Sequence, residues 1–162
     1  MKVGIVSDTH NNLKNCTKIV ELFNGAGVDR VIHTGDITQA KTLEVFSNLD
    51  APMWGVFGNN DVGERHALMN AVELYGFEVI DPPLTLHWAE KRMAVVHDPL
   101  EFAMVNTNDY DILLHGHTHR QTIEYDGDQL TFNPGECAGH MAGLNAVGIL
   151  DLVEISTEIL NF

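Results

Sequence analysis

The first third of the chain alternates between short apolar runs and segments with helical spacing. Residues 2–6, 28–33 and 53–57 are apolar runs of the kind that form buried strands. Residues 11–25 and 38–49 lie between them and place apolar side chains at helical intervals. Because strand–helix–strand order joins parallel strands through right-handed crossovers, this alternation predicts an α/β fold with a parallel sheet.

From residue 77 onward, short strands dominate the pattern. We expect them at residues 77–80, 84–88, 92–96, 111–115, 121–125, 129–132 and 146–151. A helix over residues 64–75 precedes them, and a short helix is expected near residues 99–107. A chain of 162 residues is long enough to bury its own core, so we expect one domain over residues 1–162.

The chain is strongly acidic, with 9 basic and 23 acidic residues and a net charge of −14. This balance argues against stable binding of nucleic acid, which needs a basic surface. A phosphorylated substrate is still compatible, because a metal ion can supply positive charge locally. No segment approaches the roughly 18 apolar residues of a membrane span, and the apolar N-terminal stretch is too short for a signal peptide. We therefore expect a cytoplasmic protein without a membrane partner, in which Cys16 and Cys137 are free thiols.

Five predicted strands end in residues that carry carboxylate, amide or imidazole groups. The five endings are Ser7-Asp8-Thr9-His10, His33-Thr34-Gly35-Asp36, Gly58-Asn59-Asn60-Asp61, His97-Asp98 and His115-Gly116-His117-Thr118-His119. Ligands of open α/β sheets bind at the carboxyl ends of the strands, so these endings indicate a functional site. Residues i and i+2 of an extended chain point the same way. On that ground Asp8 with His10, and His117 with His119, are each expected to converge on one point.

The candidate ligands mix nitrogen and oxygen donors. They are Asp8, His10, Asp36, Asn59, His97, His117 and His119. That mixture suits Mn²⁺, Fe or Zn²⁺ better than Ca²⁺, which prefers oxygen alone. Seven ligands are too many for one such ion and fit two ions that share a carboxylate. Asp36, which belongs to the middle of the first three motifs, is the natural bridge.

Taken singly, most of these motifs are ordinary turn chemistry, and Gly-His-x-His alone is as compatible with a metal site as with a structural turn. In this order, however, "DTH", "GD", "GNN", "VVH" and "GHTH" resemble the calcineurin-like metallophosphoesterases. The chain length and "NPGE" at residues 133–136 are similar to the small one-domain phosphodiesterase branch, which includes the retromer scaffold subunit. The resemblance covers essentially the whole chain.

This resemblance implies a four-layer α/β/β/α sandwich of two mixed β-sheets flanked by helices. It also implies a ligand assignment. The first metal would be held by Asp8, His10 and His119, the second by Asn59, His97 and His117, and Asp36 would bridge the two. The expected ions are two divalent metals, Mn²⁺ first, with Zn²⁺, Fe and Ni²⁺ as alternatives.

The implied reaction is hydrolysis of a small phosphodiester. Two ions roughly 3.5–4 Å apart would clamp the phosphate oxygens and lower the pKa of a bridging water. The resulting hydroxide would attack phosphorus in line with the leaving oxygen, so no covalent nucleophile is needed.

Two positions depart from the pattern of many relatives. Asn60 stands where they have a catalytic histidine, and an amide can bind phosphate but cannot donate a proton as an imidazolium can. We therefore expect modest activity, best on acidic leaving groups. Asp98 stands where glycine is common, and could repel substrate, hold a water, orient His97 or act as an acid. Asn60 and Asp98 are thus the predicted catalytic residues, and Asn11 and Asn60 the predicted substrate-binding residues, with an N-cap role open for Asn11 and its neighbour Asn12.

The remaining histidines have ordinary explanations as well. His33 either supports the metals or packs in the core, His115 is expected to be structural, and His66 and His87 are expected at the surface. His140 is a candidate for lining the cleft.

Two further functions stay open at this point. A protein-binding scaffold of the same fold would have a degraded metal site, whereas this chain keeps every candidate ligand. A phosphomonoesterase would differ in its preference between aryl monoesters and diesters. A homo-oligomer is compatible with the strand-rich second half, whose edges a second copy could cover.

Overall fold

The computed structural model describes residues 1–141 and 143–162. Its strands are β1 (Lys2–Val6), β2 (Arg30–His33), β3 (Met53–Val56), β4 (Glu78–Ile80), β5 (Leu84–Trp88), β6 (Lys91–Val95), β7 (Ile112–Leu114), β8 (Thr122–Asp126), β9 (Gln129–Asn133), β10 (Ala146–Asp151) and β11 (Ser156–Asn161). Its α-helices are α1 (Leu13–Ala26), α2 (Ala40–Phe46) and α3 (Arg65–Tyr75). Short 3₁₀-helices cover Asn59–Glu64, Pro99–Met104 and Thr107–Asp109.

The strands form two mixed sheets. The first has the order β11-β10-β1-β2-β3-β4, in which β1 to β4 are parallel and β10 and β11 run antiparallel. The second has the order β5-β6-β7-β9-β8, in which β6, β7 and β9 are parallel and the two edge strands are antiparallel. The predicted pair of mixed sheets is therefore confirmed.

Apolar side chains fill two separate layers. Phe23, Leu43 and Leu68 are fully buried and bring one helix each against the first sheet. Between the sheets, Ile5 of β1 lies in the same cluster as Phe132 of β9. Because successive strand residues point to opposite faces, β1 can serve both layers at once. The first sheet is thus buried on both faces, as expected for parallel strands.

The helices on the two outer sides differ in kind. All three α-helices contribute to the layer over the first sheet. The predicted short helix near residues 99–107 instead consists of two 3₁₀-helices, and the ring of Phe102 lies 6.2 Å from that of His115, just after β7. Asp98 caps the first of these helices by accepting a hydrogen bond from the Leu100 amide, and Pro99 occupies its first turn.

Strand β11 was not predicted from the sequence. Its residues are half-exposed or exposed, and within the described part of the chain they pair with β10 at the edge of the first sheet. Both thiols are free and buried, as expected. The described helices include none that is long and apolar enough to cross a membrane. Open edges at β4, β5, β8 and β11 leave the homo-oligomer as a prediction.

Candidate metal centre

The candidate ligands come together at the carboxyl ends of parallel strands from both sheets. Strand β1 leads to Asp8 and His10, β2 to Asp36, β3 to Asn59, β6 to His97, and β7 to His117 and His119. The first sheet therefore supplies four of the side chains and the second sheet three. The site lies across the two sheets and depends on their packing.

The backbone that presents these side chains is not extended. Asp8, His10, Asp36, His117 and His119 have φ values of 51°, 41°, 58°, 65° and 54°. The side chains do converge, but the reason expected from the sequence was wrong, because the backbone at these residues is not extended. Left-handed turns aim the side chains instead. Each such residue costs about 1–3 kcal/mol of strain, and strained residues cluster at functional sites.

A first group of donor atoms surrounds Asp8 Oδ1. His119 Nε2 lies 3.4 Å and His10 Nε2 lies 3.8 Å from this oxygen, and His10 Nε2 lies 3.4 Å from Asp36 Oδ2. Asp8 Oδ1 and His10 Nε2 are buried and have no hydrogen-bond partner among the described residues. The other oxygen of Asp8 is satisfied, since it accepts hydrogen bonds from Ser7 Oγ and the His117 amide. Buried donor atoms without partners are what a cation site presents.

A second group of donor atoms lies beside the first. Asn59 Oδ1 is 3.0 Å from His97 Nε2 and 3.0 Å from His117 Nδ1, and the two nitrogens are 3.3 Å apart. Ligands about 2.1 Å from one octahedral ion lie about 3 Å from one another, so the spacing fits a divalent transition metal. Asp36 stands between the groups, because its Oδ2 faces His10 and its Oδ1 lies 3.4 Å from His97 Nε2.

Hydrogen bonds fix the rings of two of these histidines. His97 Nδ1 donates to the Thr34 carbonyl at 2.9 Å, which leaves Nε2 free to face the donor group. His119 Nδ1 donates to Glu136 Oε2 at 2.8 Å, which leaves Nε2 facing Asp8. Partners of this kind orient metal-binding histidines and raise their basicity.

Glu136 is the residue that the sequence reasoning missed. Its side chain is fully buried, and its second oxygen accepts the Met141 amide at 2.8 Å. It follows β9, which lies beside β7 in the second sheet. The only signal in the sequence was its place in "NPGE". Asn133 of the same stretch donates to the Gly116 carbonyl at 3.1 Å and so supports the Gly-His-Thr-His turn.

The charges of the centre favour cation binding. Burial raises the pKa of the Asp8 and Asp36 carboxyls, but hydrogen bonds from neighbours outweigh it and hold both below the ordinary value. Burial lowers the pKa of His97, and contact with Asp36 more than reverses this, to about 9. Without a metal, the ionised carboxylates hold a proton on His97. A cation would displace that proton, because only the neutral imidazole binds metal.

Residues 1–154 match the calcineurin-like phosphoesterase superfamily domain. The chain belongs to this superfamily. Phosphodiesterase MJ0936 of Methanocaldococcus jannaschii is 38% identical to it in an alignment of 156 positions, which covers 93% of this chain and 93% of MJ0936. The solved structure of an archaeal phosphodiesterase has a TM-score of 0.90 and 35% identity, and the match covers 100% of both chains. Vps29 of Chaetomium thermophilum shares the fold alone, with a TM-score of 0.71 and 14% identity, covering 100% of this chain and 94% of Vps29.

The two departures from the phosphoesterase pattern have defined contacts. Asn60 donates its backbone amide to Asp36 Oδ1 at 2.9 Å and its side-chain amide to Asp36 Oδ2 at 2.7 Å. It therefore orients the Asp36 carboxylate. Asp98 Oδ2 lies 3.6 Å from His117 Nε2, so this carboxylate faces His117 rather than His97.

Asn11 and Asn12 have separate environments. Asn12 caps α1, since its side chain accepts the Asn15 amide at 3.2 Å. Asn11 has a φ of 56°, and its Oδ1 is buried without a partner among the described residues. Substrate binding by Asn11 stays a prediction.

The other histidines of this phosphoesterase fall where expected or at the edge of the centre. His33 is fully buried, accepts the Gly35 amide at 3.1 Å and lies 3.1 Å from Thr9 Oγ1, so it supports the backbone on both sides of the ligands. His115 is buried, and His66 and His87 are exposed. The ring of His140 stacks on that of His119 at 5.6 Å and so lines the centre.

Proposed function

We propose that this phosphoesterase is a dinuclear metal-dependent phosphodiesterase that hydrolyses a small phosphodiester. The observation that carries the proposal is the pair of adjacent donor groups with Asp36 between them. Asp8, His10 and His119 would hold the first ion, and Asn59, His97 and His117 the second. Mn²⁺ is the proposed metal, because its octahedral geometry and tolerance of mixed donors suit both groups.

Ions held by these residues would supply Lewis acidity, which would neutralise charge on phosphate oxygens and make water nucleophilic at neutral pH. The protein supplies position. Asn60 and Glu136 hold Asp36 and His119 in place through the contacts described above. The thiol of Cys137 is not a candidate nucleophile, since its burial raises its pKa strongly. In the proposed reaction, the protein positions the metal ligands and supplies no covalent nucleophile.

The balance of charge favours a diester over a monoester. A diester carries one negative charge at neutral pH, whereas a monoester carries close to two. The chain has a net charge of −14, and Asp98 places a carboxylate at the rim of the second donor group. Both features repel a dianion more than a monoanion. The relative MJ0936 is itself named a phosphodiesterase.

The test is turnover of bis(p-nitrophenyl) phosphate by metal-free protein to which Mn²⁺ is added back. We expect Mn²⁺-dependent hydrolysis that is faster than hydrolysis of p-nitrophenyl phosphate. Asp36→Ala and His117→Ala should each lower the rate by about a hundredfold or more. His66→Ala, which removes an exposed histidine of α3, should leave it unchanged.

Two results would contradict the proposal. Full activity in both Asp36→Ala and His117→Ala would show that the reaction takes place elsewhere. Wild-type protein that holds no metal by elemental analysis and is inert toward both esters would favour the scaffold instead.

A further inference from the structure

A cavity of about 320 Å³ opens directly beside the second donor group. Three of its lining residues are the proposed ligands Asn59, His97 and His117, and Phe57, Arg65 and Asp81 line another part of it. The proposed reaction engages only the phosphate of the substrate. A phosphodiester also carries two ester substituents, and these must lie in the space around the ions.

The side chain of Arg65 gives this cavity a flat wall that two contacts hold in place. Its guanidinium carbon lies 3.5 Å from the centroid of the Phe57 ring, which is buried beneath it. One edge of the guanidinium is held as well, because Nη2 lies 2.6 Å from Asp81 Oδ1. Since one face and one edge of the guanidinium are occupied and Arg65 lines the cavity, the other face is the surface that a bound group can contact. A guanidinium plane held in this way is a stacking surface for an aromatic ring.

The charge of the cavity restricts what it accepts. Among the described residues that line it, Arg65 is the only arginine or lysine, and Asp81 already pairs with it. Asp98 and Glu101 add two further carboxylates to the wall. Glu101 is engaged in accepting the His97 and Asp98 amides, each at 3.0 Å, and Asp98 faces His117. A substituent with its own phosphate or carboxylate would be repelled here.

We propose that this cavity binds one ester substituent of the substrate, a planar aromatic group without negative charge that stacks on Arg65. The inference rests on the proposed function, because the ions anchor the phosphate beside the cavity. Simple aryl rings and nucleobases share the required chemistry, and both offer a flat uncharged face.

Calorimetric titration of the Mn²⁺-loaded protein tests this inference without any turnover. Three phosphonates, which have no ester bond to break, serve as probes: methylphosphonate, benzylphosphonate and 4-(phosphonomethyl)benzoate. Benzylphosphonate should bind about tenfold more tightly than methylphosphonate. The added carboxylate of the third probe should remove most of that gain. A nucleoside phosphonate that binds more tightly than benzylphosphonate identifies the group as a nucleobase, the reverse order identifies an aryl ring, and both orders support the subsite.

Substitutions of Arg65 and Arg120 test whether Arg65 is responsible for the preference for the aromatic probe. Arg65→Met and Arg65→Lys should both bring benzylphosphonate to the affinity of methylphosphonate, since neither keeps the plane, while the affinity for methylphosphonate stays as in the wild type and shows that the centre is intact. Arg120→Met is the matched control, because Arg120 lines a different cavity of about 300 Å³ beside His119. It should leave the preference unchanged.

The outcomes separate the subsite from the centre. Equal affinity for the aromatic and methyl probes, or a preference that survives in Arg65→Met or collapses in Arg120→Met, overturns the subsite and leaves the metal centre standing. If no phosphonate binds the Mn²⁺-loaded protein, the subsite fails, and the turnover of bis(p-nitrophenyl) phosphate decides the proposed function separately.

Discussion

The buried side chain of Glu136 fixes the ring of His119, a proposed metal ligand. Its carboxylate holds His119 at 2.8 Å, whereas Asp98 faces His117 from 3.6 Å and is partly exposed. We expect Glu136→Gln to weaken binding of one Mn²⁺ ion by about 10–100-fold, because the amide no longer accepts the His119 proton with a full charge. Asp98→Asn should weaken the other ion by less. Calorimetric titration of metal-free protein with Mn²⁺ measures both. Equal effects of the two variants, or none from Glu136→Gln, would contradict this role.

His33 links the stability of the metal-free protein to pH. Burial lowers its pKa from 6.5 to about 4, so the folded protein keeps it neutral. As pH falls, the unfolded chain protonates His33 before the folded protein does. The contribution of neutral His33 to the free energy of unfolding is therefore complete above about pH 6.5 and is lost as pH falls toward 4. Between pH 7 and pH 5, wild type should lose about 2 kcal/mol more unfolding free energy than His33→Gln. Urea unfolding at the two pH values measures the difference. Parallel losses in both proteins would show that His33 titrates normally.

Among the turns and helices, substitution of two glycines distinguishes an effect on the metal centre from an effect on overall stability. A Cβ at Gly116 would collide with Ser7 Oγ, and one at Gly25, inside α1, would meet nothing within 4 Å. Gly116→Ala should therefore displace the Gly-His-Thr-His turn and weaken Mn²⁺ binding by at least about tenfold. Gly25→Ala, the same chemical change, should leave binding intact and raise stability by up to about 1 kcal/mol. Mn²⁺ titration and urea unfolding check both variants. Normal Mn²⁺ affinity in Gly116→Ala would mean that the turn has room to adjust.

The strands and helices that could be predicted are those whose pattern of apolar residues is visible within a short segment of the sequence. Apolar periodicity marks the strands and helices of the first sheet, and the polar residues at strand ends are visible in the sequence. The rest depends on contacts between distant segments. The left-handed conformation of Asp8 could not be predicted from its residue type, since only a few per cent of non-glycine residues adopt it even though aspartate does so more readily than most. Glu136 meets His119 only because β9 pairs with β7. The edge strand β11 lacks a buried apolar face, so its sequence carries little strand signal.

At the scale of the whole molecule, the centre ties the two sheets together. Asp8, Asp36 and Asn59 follow strands of the first sheet, and His97 and His119 follow strands of the second. Bound ions would therefore act as links between the layers, and would offset repulsion within a chain of net charge −14. A ligand that binds only the folded state at a hundredfold excess over its Kd adds about 2.7 kcal/mol. For a domain of this size, that corresponds to about 5–10 °C in Tm per ion.

We expect Mn²⁺ to raise the Tm of metal-free protein by at least that amount, as followed by circular dichroism during heating. Ca²⁺ at the same concentration is the matched control, because it screens charge equally but prefers sites made of oxygen alone. His119→Ala should lose part of the Mn²⁺ effect, and Asp36→Ala, which touches both donor groups, should lose most of it. If Ca²⁺ and Mn²⁺ stabilise the wild type equally, the ions act only on the surface charge. The two sheets would then be held together by their apolar contacts alone.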